Sequence, residues 1–221
     1  SSGYHGKFAF GSALACIQLQ NNPIRSAFEP DLVIHVGEMT GDYNTMGFLT
    51  GLNCPVWRVS LDGEFRQHFA RLENVFQCSN EFFFSHYASN KHVESGYRTK
   101  WENYDIQLRK RMPEFPFSNI WMAQQLHSMI PAGSIAHSAI LSSLSSWDYF
   151  PLPKDVRSSA NVGGFGIDGC TSTLIGASLS SHELCFCITG DLAFFYDMNS
   201  LGCREIGPNL RILLINNGLG M

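Results

Sequence analysis

Basic residues are scarce where they would matter most. No Lys or Arg occurs from Ser158 through Cys203, and the 15 in the whole chain are scattered. With a formal net charge of −4, this distribution excludes a nucleic-acid surface, which needs a clustered basic excess to neutralise phosphates. Also missing is any apolar run near the roughly 18 residues that suggest a membrane span. The opening SSGYHGKFAF lacks the basic-then-apolar order of a signal peptide. No zinc-type CxxC pair occurs, and seven cysteines are an odd number for a disulfide framework. Cys185 and Cys187 alternate along an apolar run, where buried free thiols are common. A soluble protein of the reducing cytoplasm is expected. What the chain does have is apolar mass: 44% hydrophobic residues, 17 of them Phe, in 221 residues, enough for one large domain or parts of two.

The order of elements points to an α/β fold. DLVIHVGE after Pro30 is a continuous apolar run ending in Gly37, the pattern of a strand buried on both faces in a parallel sheet. Further runs at Pro55–Val59 and Val75–Cys78 leave room for connecting helices. Residues 94–111 are the most charged part of the chain and end at Met112-Pro113, so 97–116 is read as a helical linker stopped by proline. Residues 1–96 are then the C-terminal part of a central Rossmann-like α/β domain, and 117–221 a second domain. Beyond the linker, Ser118 can cap a helix carrying Met122, Leu126 and Met129, stopped by Pro131-Ala132-Gly133. A strand over 134–141, a glycine-rich loop over 161–169, a helix over 168–179, a strand over 184–189, a helix after Asp191 and a strand over 211–215 complete the reading.

The segment TGDLAFFYDMNSLGCREIGPNLRILLINNG, Thr189 to Gly218, carries the chemistry. It reads as a strand end at Gly190-Asp191, a short helix, a second strand and then Asn216-Asn217, with 23 residues between Leu192 and Asn216. This spacing brings an anionic and a neutral amide oxygen to the ends of neighbouring strands. A phosphate bound here, with no Lys or Arg nearby, must be met by backbone amides at helix N-termini and by a metal ion. Mg²⁺ takes few oxygen ligands from protein and the rest from phosphate and water. The Asp191 carboxylate, the Asn217 amide oxygen and a backbone carbonyl near Leu219 fit. Gly-Asp and Asn-Asn-Gly after strands are also ordinary turns; it is their joint occurrence that points to a site. His127, His137 and His182 show no zinc spacing, and none is assigned a catalytic role.

These residues resemble the thiamine diphosphate binding motif, a Gly-Asp-Gly followed some two dozen residues later by Asn-Asn, with Leu192 in place of the third glycine. That departure, YDMNSL after it and NVGGFGIDG before it are similar to the synthases of the menaquinone pathway within the thiamine diphosphate-dependent family. The resemblance runs from about Ser118 to Gly220 and is looser before that.

The resemblance implies Asp191 and Asn217 as side-chain ligands of Mg²⁺, with Leu219 offering its carbonyl. Gly164, Phe165 and Gly166 would line the cofactor loop, and Ile167 would wedge beneath the bent cofactor or simply pack in the core. Gly190, Leu192, Ala193 and Phe194 would meet the diphosphate. The implied activity is decarboxylation of a 2-oxo acid followed by carboligation to a small acceptor, on carbanion chemistry supplied by the cofactor. A homodimer or homotetramer is implied, as is an activating glutamate on a separate domain. That domain is not found here, so the chain reads as a fragment, and Glu29, Glu38, Glu64, Glu73 and Glu81 are not promoted to the role. The related synthases carry arginines where this chain has Val162 and, with Ser138 as anchor, Ser142; losing both would remove their bidentate carboxylate recognition while the cofactor site is kept. An acetolactate-synthase-like or sugar-modifying carboligase, and a catalytically silent α/β module for assembly or nucleotide sensing, are the alternative readings.

Overall fold

The computed structural model describes residues 13–37, 43–66, 68–87 and 96–219. The opening ten residues, Glu38 and Met221, all used in the sequence reading, lie outside them. The described residues divide into two units, one ending at Met112 and one starting at Pro113. Both are helix-flanked parallel sheets, the α/β class expected. None of their helices is long and apolar enough to cross a membrane.

The first unit runs through α1 (Ala13–Leu19), β1 (Val33–Val36), α2 (Tyr43–Thr50), β2 (Val56–Ser60), β3 (Leu72–Gln77), α3 (Asn80–Tyr87) and α4 (Tyr97–Lys110). Its strands pair in the order β1-β2-β3, all parallel. Between α1 and β1 a short 3₁₀ turn is started by Asn22, whose side chain accepts from Ile24 N–H at 3.1 Å. The polar stretch read as a linker forms α4 over most of its length. Tyr97, Trp101, Tyr104 and Leu108 recur at helical spacing and pack into the core. Trp101 meets Phe28 and Phe48 edge-on at 5.3 and 5.5 Å. The charges that mark the segment as polar occupy the remaining faces, as in the Arg98–Glu102 and Asp105–Arg109 pairs, so 97–110 is a helix, as expected, that also bears part of the core.

The second unit contains α5 (Asn119–Leu126), β4 (Ile135–Ser138), α6 (Ser142–Trp147), β5 (Arg157–Ala160), α7 (Cys170–Leu179), β6 (Cys185–Gly190), α8 (Asp191–Asp197) and β7 (Leu210–Ile215). Ser118 caps α5 by accepting from Trp121 N–H at 3.3 Å. The strands pair β5-β4-β6-β7, all parallel. The chain thus steps outward from β4 to β5, returns across β4 to β6, and continues outward to β7. Such a reversal opens a crevice between the first strands of the two directions, here β4 and β6, at their carboxyl ends. Two elements escaped the sequence reading. β5 is Arg-Ser-Ser-Ala, an edge strand without an apolar signature, and α6 is mostly serine. The strand expected over 134–141 ends at Ser138, because Ala139 to Leu141 turn into α6.

Candidate functional site at the carboxyl ends of β4 and β6

The central strand β6 is buried at Cys185, Cys187, Ile188 and Thr189, as its two covered faces require. It passes through Gly190 directly into α8, so Asp191 stands at the strand's carboxyl end and in the helix's first turn. Register decides what it meets. Gly190 pairs with Ile215, which brings the Asn216–Leu219 turn level with Asp191. Gly218 N–H donates to Asp191 Oδ2 at 3.2 Å and to Asn216 Oδ1 at 3.0 Å, and Leu192 N–H donates to Asp191 Oδ1 at 2.7 Å. Gly218 has φ +67°, a conformation in which a side chain would be strained. Asn217 Oδ1 accepts from Leu219 N–H at 3.0 Å. The structure therefore brings Asp191 together with the turn that contains Asn217 and Leu219.

Asp191 is only 8% exposed, yet no cationic side chain pairs with it among the described residues. A buried carboxylate without a cation is costly unless something positive meets it, and its two backbone donors leave lone pairs unused. The described residues hold no cluster of three His, Cys, Asp or Glu side chains. A metal here would therefore be held by one carboxylate with amide and carbonyl oxygens, the donor set that suits Mg²⁺ bridging to phosphate. The residues present fit that group.

The loop after β5 supplies the facing wall. Gly163, Gly164 and Phe165 are exposed, and a Cβ on Gly164 would meet nothing within 4 Å. At Gly166 a Cβ would crowd the Asp168 side chain, whose Oδ1 would have to turn aside. Gly169, at φ +76°, precedes the first turn of α7. Ile167 packs against Ala139, Cys170 and Ala193, and so ties the end of β4, the start of α7 and α8 into one floor. Of the other residues expected to meet a diphosphate, Leu192 is 41% exposed beside Asp191, Ala193 is buried in that floor, and Phe194 is half-buried with its ring 6.1 Å from Phe195.

Two side chains here went unassigned in the sequence. Asp197, at the far end of α8, accepts from Ser172 N–H at 2.6 Å. It caps the N-terminus of α7 from another element and locks the two helices together. A carboxylate three residues ahead of its own helix would have been readable as a cap; one that follows it by 25 positions is not. His137, on β4, is 2% exposed, with Nδ1 2.8 Å from Ser159 Oγ and Nε2 buried without a hydrogen-bond partner. Burial lowers its pKa, opposed by the Asn161 side chain, and so favours the neutral ring. The Cys187 thiol is pushed up to about 12 by burial, which keeps it unreactive.

No family model matches the chain. Individual proteins do. It is 38% identical over 168 residues to the 2-succinyl-5-enolpyruvyl-6-hydroxy-3-cyclohexene-1-carboxylate synthase of Bacteroides fragilis, a match covering 74% of this chain and 30% of that protein. Against the synthase of the same name from Bacteroides thetaiotaomicron the identity is 35% over 167 residues, 74% of this chain and 29% of the other. Against that of Desulfitobacterium hafniense it is 27% over 210 residues, 91% and 38% respectively. The chain thus spans about a third of the length of the relatives it matches.

Proposed function

We propose that this chain, a relative of the thiamine diphosphate-dependent 2-succinyl-5-enolpyruvyl-6-hydroxy-3-cyclohexene-1-carboxylate synthases, carries the diphosphate-binding and metal-binding part of a 2-oxo acid decarboxylating carboligase. The observation that carries this reading is Asp191, a buried carboxylate without a cationic partner, held at the end of β6 by Leu192 and Gly218 N–H. Asp191 and Asn217, with the Leu219 carbonyl, would hold Mg²⁺. The first turn of α8 and the Gly164–Ile167 loop would hold the diphosphate and support the rings. When bound, the cofactor supplies the electron sink for carbanion chemistry.

The chain's own tasks are positional. Asp191 and Asn217 would orient the diphosphate through the metal, and Ile167 would set the cofactor's height above the floor it shares with Ala139 and Ala193. The apolar walls would exclude water from the reacting centre. In this proposal residues 117–221 are the diphosphate domain and residues 1–96 part of the central domain. Leu192, Phe195, Tyr196 and Leu219 are exposed beside the site and support assembly as a homodimer or homotetramer.

Calorimetric titration with thiamine diphosphate, with and without Mg²⁺, tests the reading. Binding is expected only with the metal. Metal-independent binding, or binding that survives Asp191→Ala unchanged, would defeat it.

A further inference from the structure

The loop that would hold the cofactor is poorly suited to hold itself. Residues 161–169 contain four glycines, whose backbone freedom makes an ordered loop costly. The strand that delivers the loop, β5, is a four-residue edge strand paired with β4 alone. Strain adds to the demand. Among the described residues, two non-glycine positions have positive φ, Phe165 at 54°, two residues before Ile167, and Leu141 at 67°, two residues beyond Ala139. Ala139 and Ile167 pack together in one cluster, so the two flank one floor. Such conformations persist only where the surroundings over-determine them.

His137 supplies a restraint from below. Ile135 of β4 packs with Leu174 of α7, and Ala139, just beyond β4, packs with Cys170 while its N–H still donates to the Ile188 carbonyl at 2.8 Å. His137 lies between them on the same face of the sheet, one step beneath the floor. Register sets it level with Ser159 of β5, and its Nδ1 lies 2.8 Å from Ser159 Oγ. The Asn161 side chain also acts on the ring. It reaches across the loop as well, since a Cβ on Gly169 would stand 3.5 Å from Asn161 Nδ2. One amide thus links the first residue of the loop to its last and to β4. The ring is 2% exposed, with Nε2 buried without a hydrogen-bond partner, a cost that an apolar side chain of the same size would avoid. Its polar edge toward β5 is what sets it apart from a core phenylalanine.

We infer that His137 is a positioning residue: through Ser159 and Asn161 it fastens both ends of the 161–169 loop to β4, and so sets where Ile167 stands beneath the cofactor without itself touching it. The inference rests on the proposed cofactor site. Asn places an amide where the Nδ1 of His stands, while Phe keeps a ring and loses the bond. The two substitutions therefore separate bonding from packing.

The test uses the full-length protein, unsubstituted and as His137→Phe and His137→Asn. Thiamine diphosphate is titrated calorimetrically at saturating Mg²⁺, and hydrogen exchange of the loop is followed by mass spectrometry without cofactor. His137→Phe is expected to bind the cofactor about tenfold more weakly and to exchange the 161–169 amides about tenfold faster, with β6 and α7 unchanged. His137→Asn is expected to stay within about threefold of the unsubstituted protein in both. Asn161→Ala, which leaves the buried ring in place, should repeat the His137→Phe result, and the double variant should be no weaker than either single one. His137→Phe matching the unsubstituted protein, His137→Asn falling with His137→Phe, or Asn161→Ala moving neither readout overturns the inference while leaving the cofactor site standing. Failure of the unsubstituted protein to bind thiamine diphosphate defeats the proposed function instead, and the exchange rates, read without cofactor, still decide whether His137 anchors the loop.

Discussion

Carboxylates are treated differently in the two units. In the first, Glu29, Asp62, Glu64, Glu73, Glu102 and Asp105 each lie within ion-pair distance of an arginine. In the second, Glu183 pairs with Arg157, but Asp191 and Asp197, at the ends of β6 and α8, are met by backbone N–H groups. An arginine neutralises a carboxylate's charge as well as occupying lone pairs. A backbone amide takes one and leaves the rest, so Asp191 keeps capacity for a hard cation. Strand order separates the units in the same way. β1-β2-β3 proceeds in one direction, whereas β5-β4-β6-β7 reverses and opens a crevice beside Asp191. The same kind of strand forms a framework in one unit and a candidate site in the other.

Trp101→Ala attacks the framework side and carries the largest expected cost. Its ring is buried between Phe28 and Phe48, and such truncations cost about 3–5 kcal/mol. Urea unfolding should show this as a lower midpoint, and a change under 1 kcal/mol would mean that α4 is not integral to that core. On the site side, Asp191→Ala is expected to weaken Mg²⁺-dependent thiamine diphosphate binding at least about 100-fold, or ~2.7 kcal/mol. Glu73→Gln should leave binding within twofold. Equal effects from the two would erase the distinction between paired and unpaired carboxylates.

His137 gives the contrast a pH signature. Burial lowers its folded pKa below the unfolded value of about 6.5. As pH falls below 6.5 the unfolded chain takes up a proton that the folded chain resists, so stability declines from there down to the folded pKa. Denaturant titrations between pH 5 and 7 should show a shallower slope for His137→Gln than for the unsubstituted protein, and identical slopes would rule out a buried neutral ring. Asp197→Ala removes the cap on α7 and should cost about 1 kcal/mol. Glu73→Gln, which removes an exposed pair with Arg71, should cost less than that, and the reverse order would undo the claim that backbone-bound carboxylates matter more here.

Much of this was legible beforehand, unevenly. β1, β2, β6 and β7 announced themselves as apolar runs, and Ser118 marked its helix by chemistry that acts within three residues. β5 and α6 did not, because Arg-Ser-Ser-Ala and Ser-Ser-Leu-Ser-Ser-Trp carry no periodic apolar face. α4 was legible as a proline-stopped helix, but its part in the core was not, because its apolar stripe, one residue in every three or four, is outnumbered by the charges around it.

The sequence by itself determined the cast of the candidate site: Gly190-Asp191 and Asn216-Asn217 at strand ends, a glycine loop around Ile167, and no Lys or Arg among them. Those are properties of residue type and spacing along the chain. Only the tertiary structure decided that Gly190 lies level with Ile215 and so gives Asp191 the Gly218 N–H. It also decided that β4 and β6 border the crevice, that Asp197 caps α7, and that Leu141 and Phe165 are held at positive φ on either side of one floor. Register, strand order and backbone strain arise from through-space pairing of segments far apart in the chain, and no local pattern encodes them.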